Sequence, residues 1–87
     1  MNLDQLIAEG EGVRTSCFEV GAYGVGGFLT GLPYEEWISK SIYYLEDNCD
    51  NATLLNRFRT AATNAAGNDT KHYDTMMGVL KALKAFE

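Results

Sequence analysis

Apolar residues recur at helical spacing over most of the chain. Leu3, Leu6 and Ile7 stand at positions i, i+3 and i+4, which predicts a short helix over residues 1–10. Gly10 is a plausible end for this helix, because glycine often follows the last helical residue. A helix of about two turns is marginal in water, so we expect it to pack against the rest of the chain.

Three longer apolar patterns predict three main helices between residues 33 and 87. The patterned residues are Trp37, Ile38, Ile42, Tyr44 and Leu45 in the first helix, Leu54, Leu55, Phe58, Ala61, Ala62 and Ala65 in the second, and Tyr73, Met76, Leu80 and Leu83 in the third. Pro33 suits the first turn of a helix, and Gly67 suits a C-terminal cap. Gly78 lies inside the last pattern and predicts a close helix crossing. Short connections favour antiparallel neighbours in a small bundle.

Between residues 11 and 32 the pattern changes, because six glycines interrupt it. Each glycine inside a helix costs about 1 kcal/mol relative to alanine, so a helix is not expected here. Phe18 and Val20 alternate with polar or small residues, which indicates a short strand. Gly26-Gly27 can form the turn of a hairpin. The segment is therefore predicted to be an extended arm or hairpin.

These patterns together predict an all-α fold in a single domain, residues 1–87. It consists of a short helix over 1–10, a glycine- and aromatic-rich arm over 11–32, and a three-helix core over 33–87. A chain of this length buries only about 60–65% of the surface that it exposes when unfolded. The core must therefore be economical, or a partner must complete it.

The charge is acidic and uneven along the chain. The formal net charge is −5; residues 1–50 hold nine acidic and two basic side chains, and residues 51–87 hold three and five. An acidic surplus argues against nucleic-acid binding, which requires a basic footprint. The basic residues of the second part, Arg57, Arg59, Lys71, Lys81 and Lys84, form either a weak patch for RNA or an acidic protein, or ordinary solvated helix faces. The overall charge favours the second interpretation.

Composition also limits where the protein is expected to work. Hydrophobic residues make up 46% and charged residues 22% of the chain, which is typical of a globular domain. No apolar run approaches the roughly 20 residues that span a bilayer, and the N-terminus lacks the features of a signal peptide. We therefore expect a cytoplasmic protein without a membrane partner.

No motif for catalysis or cofactor binding is present in the sequence. His72, Cys17 and Cys49 are far apart and lack the spacing of a zinc site. The dinucleotide fingerprint fails because Leu29 replaces its last glycine. We accordingly expect no catalytic residue, no metal, no cofactor, no small-molecule substrate and no enzyme activity.

Aromatic residues are concentrated in the middle of the chain. Six of them lie within 22 residues: Tyr23, Phe28, Tyr34, Trp37, Tyr43 and Tyr44. In so small a protein some must line the core, and Trp37 is the first candidate. Tyrosine and tryptophan are also frequent anchors of protein interfaces. These six residues are therefore the predicted interaction residues.

Three stretches carry a resemblance to a known kind of module. They are the run from Tyr34 to Lys40 with Tyr44-Leu45 after it, the pair His72-Tyr73, and the run from Met77 to Leu83. Residues 34–86 resemble a helical accessory module found at the N-termini of poorly characterised bacterial proteins, some of them linked to phage defence. The resemblance implies a helical bundle ahead of an effector region and transfers no catalytic residue to this chain.

The sequence thus favours a protein–protein interaction or oligomerisation module of bacterial or phage origin, without catalysis. Its partner would be another protein or a second copy of the chain. The alternative is a stand-alone, phage-encoded inhibitor of a host defence nuclease that acts as an acidic mimic of nucleic acid. Mimicry predicts acidic residues grouped on one surface, whereas an interaction module predicts an exposed apolar patch.

Overall fold

The computed structural model describes residues 1–87 and consists of four helices and one small hairpin. The elements are α1 (Leu3–Ser16), β1 (Phe18–Val20), a 3-10 turn (Ala22–Gly24), β2 (Gly27–Leu29), α2 (Leu32–Asn48), α3 (Ala52–Thr63) and α4 (Lys71–Ala85). Helix α1 packs on α2 and α4, and α3 packs on α4 and α2. The predicted all-α bundle with a hairpin arm is confirmed. None of the helices is both long enough and apolar enough to cross a bilayer.

The predicted end of the first helix at Gly10 is wrong, since α1 continues to Ser16. Gly10 is buried inside the helix, and a Cβ atom there would lie 2.6 Å from Cζ2 of Trp37 and would also collide with Cε of Met77. This glycine therefore permits a close helix contact. The close contact expected at Gly78 is wrong as well, because the space around Gly78 is open.

Two asparagine caps explain where α1 and α3 begin. The Asn2 side chain accepts a 2.8 Å hydrogen bond from the backbone N–H of Gln5, and the Gln5 side chain accepts one from the N–H of Asn2. This reciprocal capping box satisfies two donors that the first helical turn leaves unpaired. Asn51 caps α3 by accepting a 3.0 Å bond from Leu54 N–H.

An aromatic cluster fills the centre of the bundle. Trp37 is fully buried, and its ring centroid lies 6.1 Å from that of Tyr34, 5.6 Å from that of Tyr73 and 6.4 Å from that of Phe58. Ring pairs at these separations add about 0.5–1.5 kcal/mol to the burial of their area. Because the four rings come from α2, α3 and α4, the cluster joins these three helices.

Two long-range hydrogen bonds attach α1 to this cluster. The indole N–H of Trp37 donates to the backbone carbonyl of Leu6 at 2.8 Å, and the hydroxyl of Tyr73 donates to the carbonyl of Gly10 at 3.1 Å. The two acceptors are one helical turn apart. Both polar aromatic atoms are buried, and each has a hydrogen-bond partner, as most buried polar atoms in proteins do.

Ion pairs form both within and between the acidic first part and the basic second part of the chain. Lys84 pairs with Asp4 at 3.2 Å and with Glu87 at 3.0 Å, and further pairs link Lys40 to Glu9 and Arg59 to Glu46. All are solvent-exposed, so each contributes little to stability. The pair between Lys84 and Asp4 places the end of α4 beside the beginning of α1.

The arm begins at Cys17 and not at residue 11, because α1 includes residues 11–16. We use "the arm" for residues 17–31, which connect α1 to α2. The predicted turn at Gly26-Gly27 is also wrong in position. The hairpin closes where Gly21 N–H donates to the carbonyl of Gly26 at 3.2 Å, so Gly27 already belongs to β2.

Candidate interaction surface

The arm is a two-stranded antiparallel hairpin with a short register. Phe18 lies opposite Leu29, Glu19 opposite Phe28, and Val20 opposite Gly27. Side chains directly opposite one another share a face of the sheet. Leu29 is fully buried, so the face that holds Phe18 and Leu29 points toward the helical core at the base of the arm.

Tyr23 occupies the tip of the arm in an unusual backbone conformation. Its φ and ψ angles are 58° and 22°, and it is the only non-glycine residue with a positive φ. For an L-residue this left-handed conformation costs about 1–2 kcal/mol. The Tyr23 side chain is fully exposed, so no contact within the fold offsets this cost.

Apolar side chains that face solvent are concentrated on the arm. Eight large hydrophobic side chains are exposed in the whole protein, and four of them lie on the arm: Phe18, Val20, Tyr23 and Val25. Leu32, the first residue of α2, adds a fifth at the base of the arm. Single exposed hydrophobic residues are ordinary, but a concentration of them in one short segment indicates an interaction site.

The outer edge of β2 is covered at Leu29 by the connection between α3 and α4. Leu29 N–H donates to the carbonyl of Asn68 at 3.0 Å, and Gly67 N–H donates to the carbonyl of Leu29 at 2.8 Å. Gly67 takes a left-handed φ of 79°, which glycine adopts without strain. Both outward backbone groups of Leu29 are therefore paired within the fold.

The outer edge of β1 is open. Thr30 N–H donates to the carbonyl of Cys17 at 3.2 Å, and inward and outward groups alternate along an antiparallel strand. Glu19 therefore directs its backbone groups to β2, whereas Phe18 and Val20 direct theirs away. No hydrogen bond within the protein uses these outward groups. All three residues of β1 are exposed.

The side chains along β1 differ in how firmly they are held. The Phe18 ring covers Gly27 of the neighbouring strand, and the Arg14 guanidinium lies 5.3 Å from the ring centroid. Val20 is 65% exposed. Glu19 forms no ion pair. The open edge therefore presents an anchored aromatic ring, a free carboxylate and an exposed valine in sequence.

The structure divides the six predicted interaction residues into different environments. Tyr34 and Trp37 are fully buried core residues, so neither belongs to an exposed surface. Tyr44 is half-buried and packs against the core. Tyr43 is 67% exposed on α2, about 16 Å along the helix from Leu32 at a rise of 1.5 Å per residue.

Only two of the six predicted residues, Tyr23 and Phe28, lie on the arm. Tyr23 is fully exposed and Phe28 is half-buried. The arm also exposes Val20 and Val25, which are not among the six predicted residues because aromatic content alone defines that set. The alternation around Glu19 was the available signal, since an apolar residue on either side of a charge is typical of a strand with one solvated face.

The largest surface cavity is an open groove of about 500 Å³ between α3 and α4. Seven of its eight lining residues are polar, including Arg57 and His72. The only buried side-chain oxygens without a hydrogen-bond partner belong to Tyr34 and Ser41, and neither residue lines the groove. The groove therefore presents no buried side-chain polar atom that lacks a hydrogen-bond partner.

Metal-binding side chains are dispersed in the fold. No group of three or more histidine, cysteine or acidic side chains could hold a metal ion. Cys17 and Cys49 are both buried free thiols.

Comparison with known proteins assigns neither a family nor a function to the chain. No family model, no curated protein and no solved structure matches the chain.

Proposed function

We propose that this protein is a protein-interaction module that docks its partner on the arm and on Leu32 at the base of the arm. The observation that carries the proposal is the concentration of exposed apolar side chains on this one segment. Apolar surface of this kind gains free energy when a partner removes it from water, at roughly 25 cal/mol per Å². The proposal involves no catalysis.

The helical core supports this proposal because it is complete without the arm's exposed side chains. Eighteen buried hydrophobic residues form one cluster, with Trp37 at its centre. Val20, Tyr23 and Val25 lie outside this cluster, so the fold does not need them for burial. Tyr23 also retains a costly backbone conformation, and such strain often accompanies function.

The distribution of charge weighs against the acidic-mimic alternative. A mimic of nucleic acid requires unpaired acidic groups on one surface. Three of the nine acidic residues in the first part of the chain, Asp4, Glu9 and Glu46, form ion pairs with lysine or arginine, which reduces the acidic surface available to a mimic. The exposed apolar side chains of the arm support an interaction module instead, and the link to phage defence implied by the resemblance remains a prediction.

A capture experiment with matched variants tests the proposal. The purified chain is immobilised and used to isolate binding proteins from its native cells; each candidate is then purified and its Kd measured by calorimetry. The double variant Tyr23→Ser, Val25→Ser should weaken binding at least about thirtyfold, since interface anchors contribute about 2 kcal/mol or more.

Two control variants remove exposed aromatic rings that lie away from the arm. Phe86→Ser changes the C-terminal end of the bundle, and Tyr43→Ser changes the middle of α2. Both should keep the Kd of the unmodified chain. If the arm variant binds as tightly as the controls, the arm is not the docking surface and the proposal fails. Sedimentation of the chain alone tests whether the partner is a second copy.

A further inference from the structure

We infer that β1 binds its partner by accepting an extended segment of another protein as a third strand, with a basic residue opposite Glu19 and apolar residues on either side of it. This inference rests on the proposed function, because it specifies how the arm docks. Strand addition at an open sheet edge is a general mode of peptide recognition, in which backbone hydrogen bonds supply affinity and alternate side chains supply specificity.

β1 is the edge of the hairpin whose outward backbone groups are all unpaired. The outward groups of Leu29 already bond Gly67 and Asn68, so β2 cannot accept another strand there. The outward N–H and carbonyl groups of Phe18 and Val20 have no partner in the fold. They are two residues apart, about 7 Å along the strand, which matches the spacing at which a neighbouring antiparallel strand exchanges hydrogen bonds.

The side chains of β1 then define the pattern of the incoming segment. Residues placed opposite Phe18 and Val20 fall on the face that also holds Leu29, so apolar side chains there would extend an existing apolar face. The residue placed opposite Glu19 falls on the other face, beside Phe28. The complementary pattern is apolar, basic, apolar.

The charge of Glu19 determines which residue of the incoming segment is basic. Glu19 is exposed and has no ion pair in the fold. The one basic side chain seen against β1 is Arg14, which covers the Phe18 ring. A lysine or arginine directly across from Glu19 forms a favourable cross-strand pair, whereas an acidic residue there is repelled.

The same charge disfavours a second copy as the occupant. Two-fold antiparallel pairing of β1 with β1 of another copy, in the register that overlaps the whole strand, places Phe18 opposite Val20 and Glu19 opposite Glu19. The two glutamates would form a non-hydrogen-bonded pair, with Cα atoms about 4.5 Å apart. Like charges directly opposite one another are destabilising, and both chains carry a net charge of −5.

A peptide titration tests the inference with defined probes. Two blocked peptides, of sequence TVKVT and TVEVT, differ only in the central charge and are titrated into the isotopically labelled chain by NMR. The TVKVT peptide should bind about tenfold more tightly, since the favourable and unfavourable cross-strand pairs together differ by about 1.4 kcal/mol. The amide signals of Phe18 and Val20 should shift downfield, because these are the donors that gain a partner.

A charge-exchanged variant separates a local pair from general electrostatic attraction. Glu19→Lys should reverse the preference, so that TVEVT binds more tightly than TVKVT. Glu36→Lys alters the net charge equally on an exposed site of α2 and should retain the preference for TVKVT. If both variants behave alike, the attraction is not specific to the strand edge and the inference is overturned.

Three further results would contradict the inference. They are the absence of binding by either peptide at millimolar concentration, equal affinity for both peptides, and formation of a dimer that protects the amides of β1. A captured partner whose binding is weakened by Tyr23→Ser, Val25→Ser but unaffected by Glu19→Lys would overturn strand addition and retain the proposed function. If neither change affected binding of the captured partner, both strand addition and the proposed function would be overturned.

Discussion

Leu29 donates its backbone N–H to the carbonyl of Asn68 at 3.0 Å, on the side of β2 that faces away from β1. Through this bond the connection between α3 and α4 covers one edge of the hairpin. The opposite edge, along β1, has no such cover. An unpaired strand edge is a site at which another chain can pair, and β1 offers such an edge along its whole length.

The close contact at Gly10 predicts opposite effects for two similar substitutions in α1. Gly10→Ala should lower the free energy of unfolding by about 1–3 kcal/mol, because the added Cβ collides with Trp37 and Met77. Gly12→Ala should raise it by up to about 1 kcal/mol, because the surrounding space is open and alanine favours the helix. Urea denaturation followed by circular dichroism measures both. Equal effects would contradict the close packing at Gly10.

The two buried tyrosine hydroxyls predict that replacing tyrosine with phenylalanine has different effects on stability at the two positions. The Tyr73 hydroxyl donates to Gly10, whereas the Tyr34 hydroxyl is buried without a partner. Tyr73→Phe should therefore lower the free energy of unfolding by about 1 kcal/mol, the typical net value of a hydrogen bond. Tyr34→Phe should leave it unchanged or raise it by about 1 kcal/mol, since an unpaired polar group is removed. Destabilisation by Tyr34→Phe comparable to that by Tyr73→Phe would contradict this account.

Alkaline pH should destabilise the fold through the same two residues. Desolvation by burial raises the pKa of both Tyr34 and Tyr73 above the ordinary value of about 10. The folded state thus holds these protons more tightly than the unfolded state. Their contribution to stability is complete below about pH 10 and is lost as the pH rises toward the folded-state pKa values. The free energy of unfolding should therefore fall above about pH 10.

The Tyr34→Phe variant provides the control for this pH dependence. Without the Tyr34 hydroxyl, the decrease in unfolding free energy above about pH 10 should be smaller than in the unmodified protein. Urea denaturation at several pH values between about 8 and 11 gives the comparison. Identical pH profiles for the two proteins would show that Tyr34 has an ordinary pKa in the folded state.

The strained tip of the arm predicts that stability and binding respond differently to the same change. Tyr23→Asn should raise the free energy of unfolding by up to about 1 kcal/mol, because asparagine tolerates the left-handed conformation better. Tyr23→Val should lower it, since a β-branched residue is poorly suited to a positive φ. Both changes remove the exposed ring, so both should weaken partner binding. Thermal unfolding and calorimetric titration with an identified partner test the two effects.

The helical core was largely predictable from the sequence because its residues follow a helical period. The stripes of α2, α3 and α4 contain Trp37, Phe58 and Met76, all of which are fully buried. The end of α1 was not predictable, since Gly10 resembles a helix terminator when the chain is considered locally. Trp37 and Met77, which are distant in sequence, lie against Gly10, and tertiary contacts of this kind override local propensity.

The interaction surface was predictable in part. The sequence indicated a glycine-rich arm, and Tyr23 is indeed exposed there. Aromatic content alone could not distinguish Tyr23 from Trp37, because only the fold shows which ring the core encloses. The open edge of β1 was not accessible from sequence either, since it depends on the pairing of Leu29 with the remote Asn68.

Amide hydrogen exchange of the free, dilute protein tests the central claim most directly, because it reports the pairing of each edge separately. The Leu29 amide is buried and bonded to Asn68, so we expect it to exchange slowly. The Phe18 and Val20 amides should exchange almost as fast as those of an unstructured peptide, since nothing in the fold accepts their hydrogen bonds. Protection of Phe18 and Val20 equal to that of Leu29 would show that the edge is already occupied, and would contradict the account.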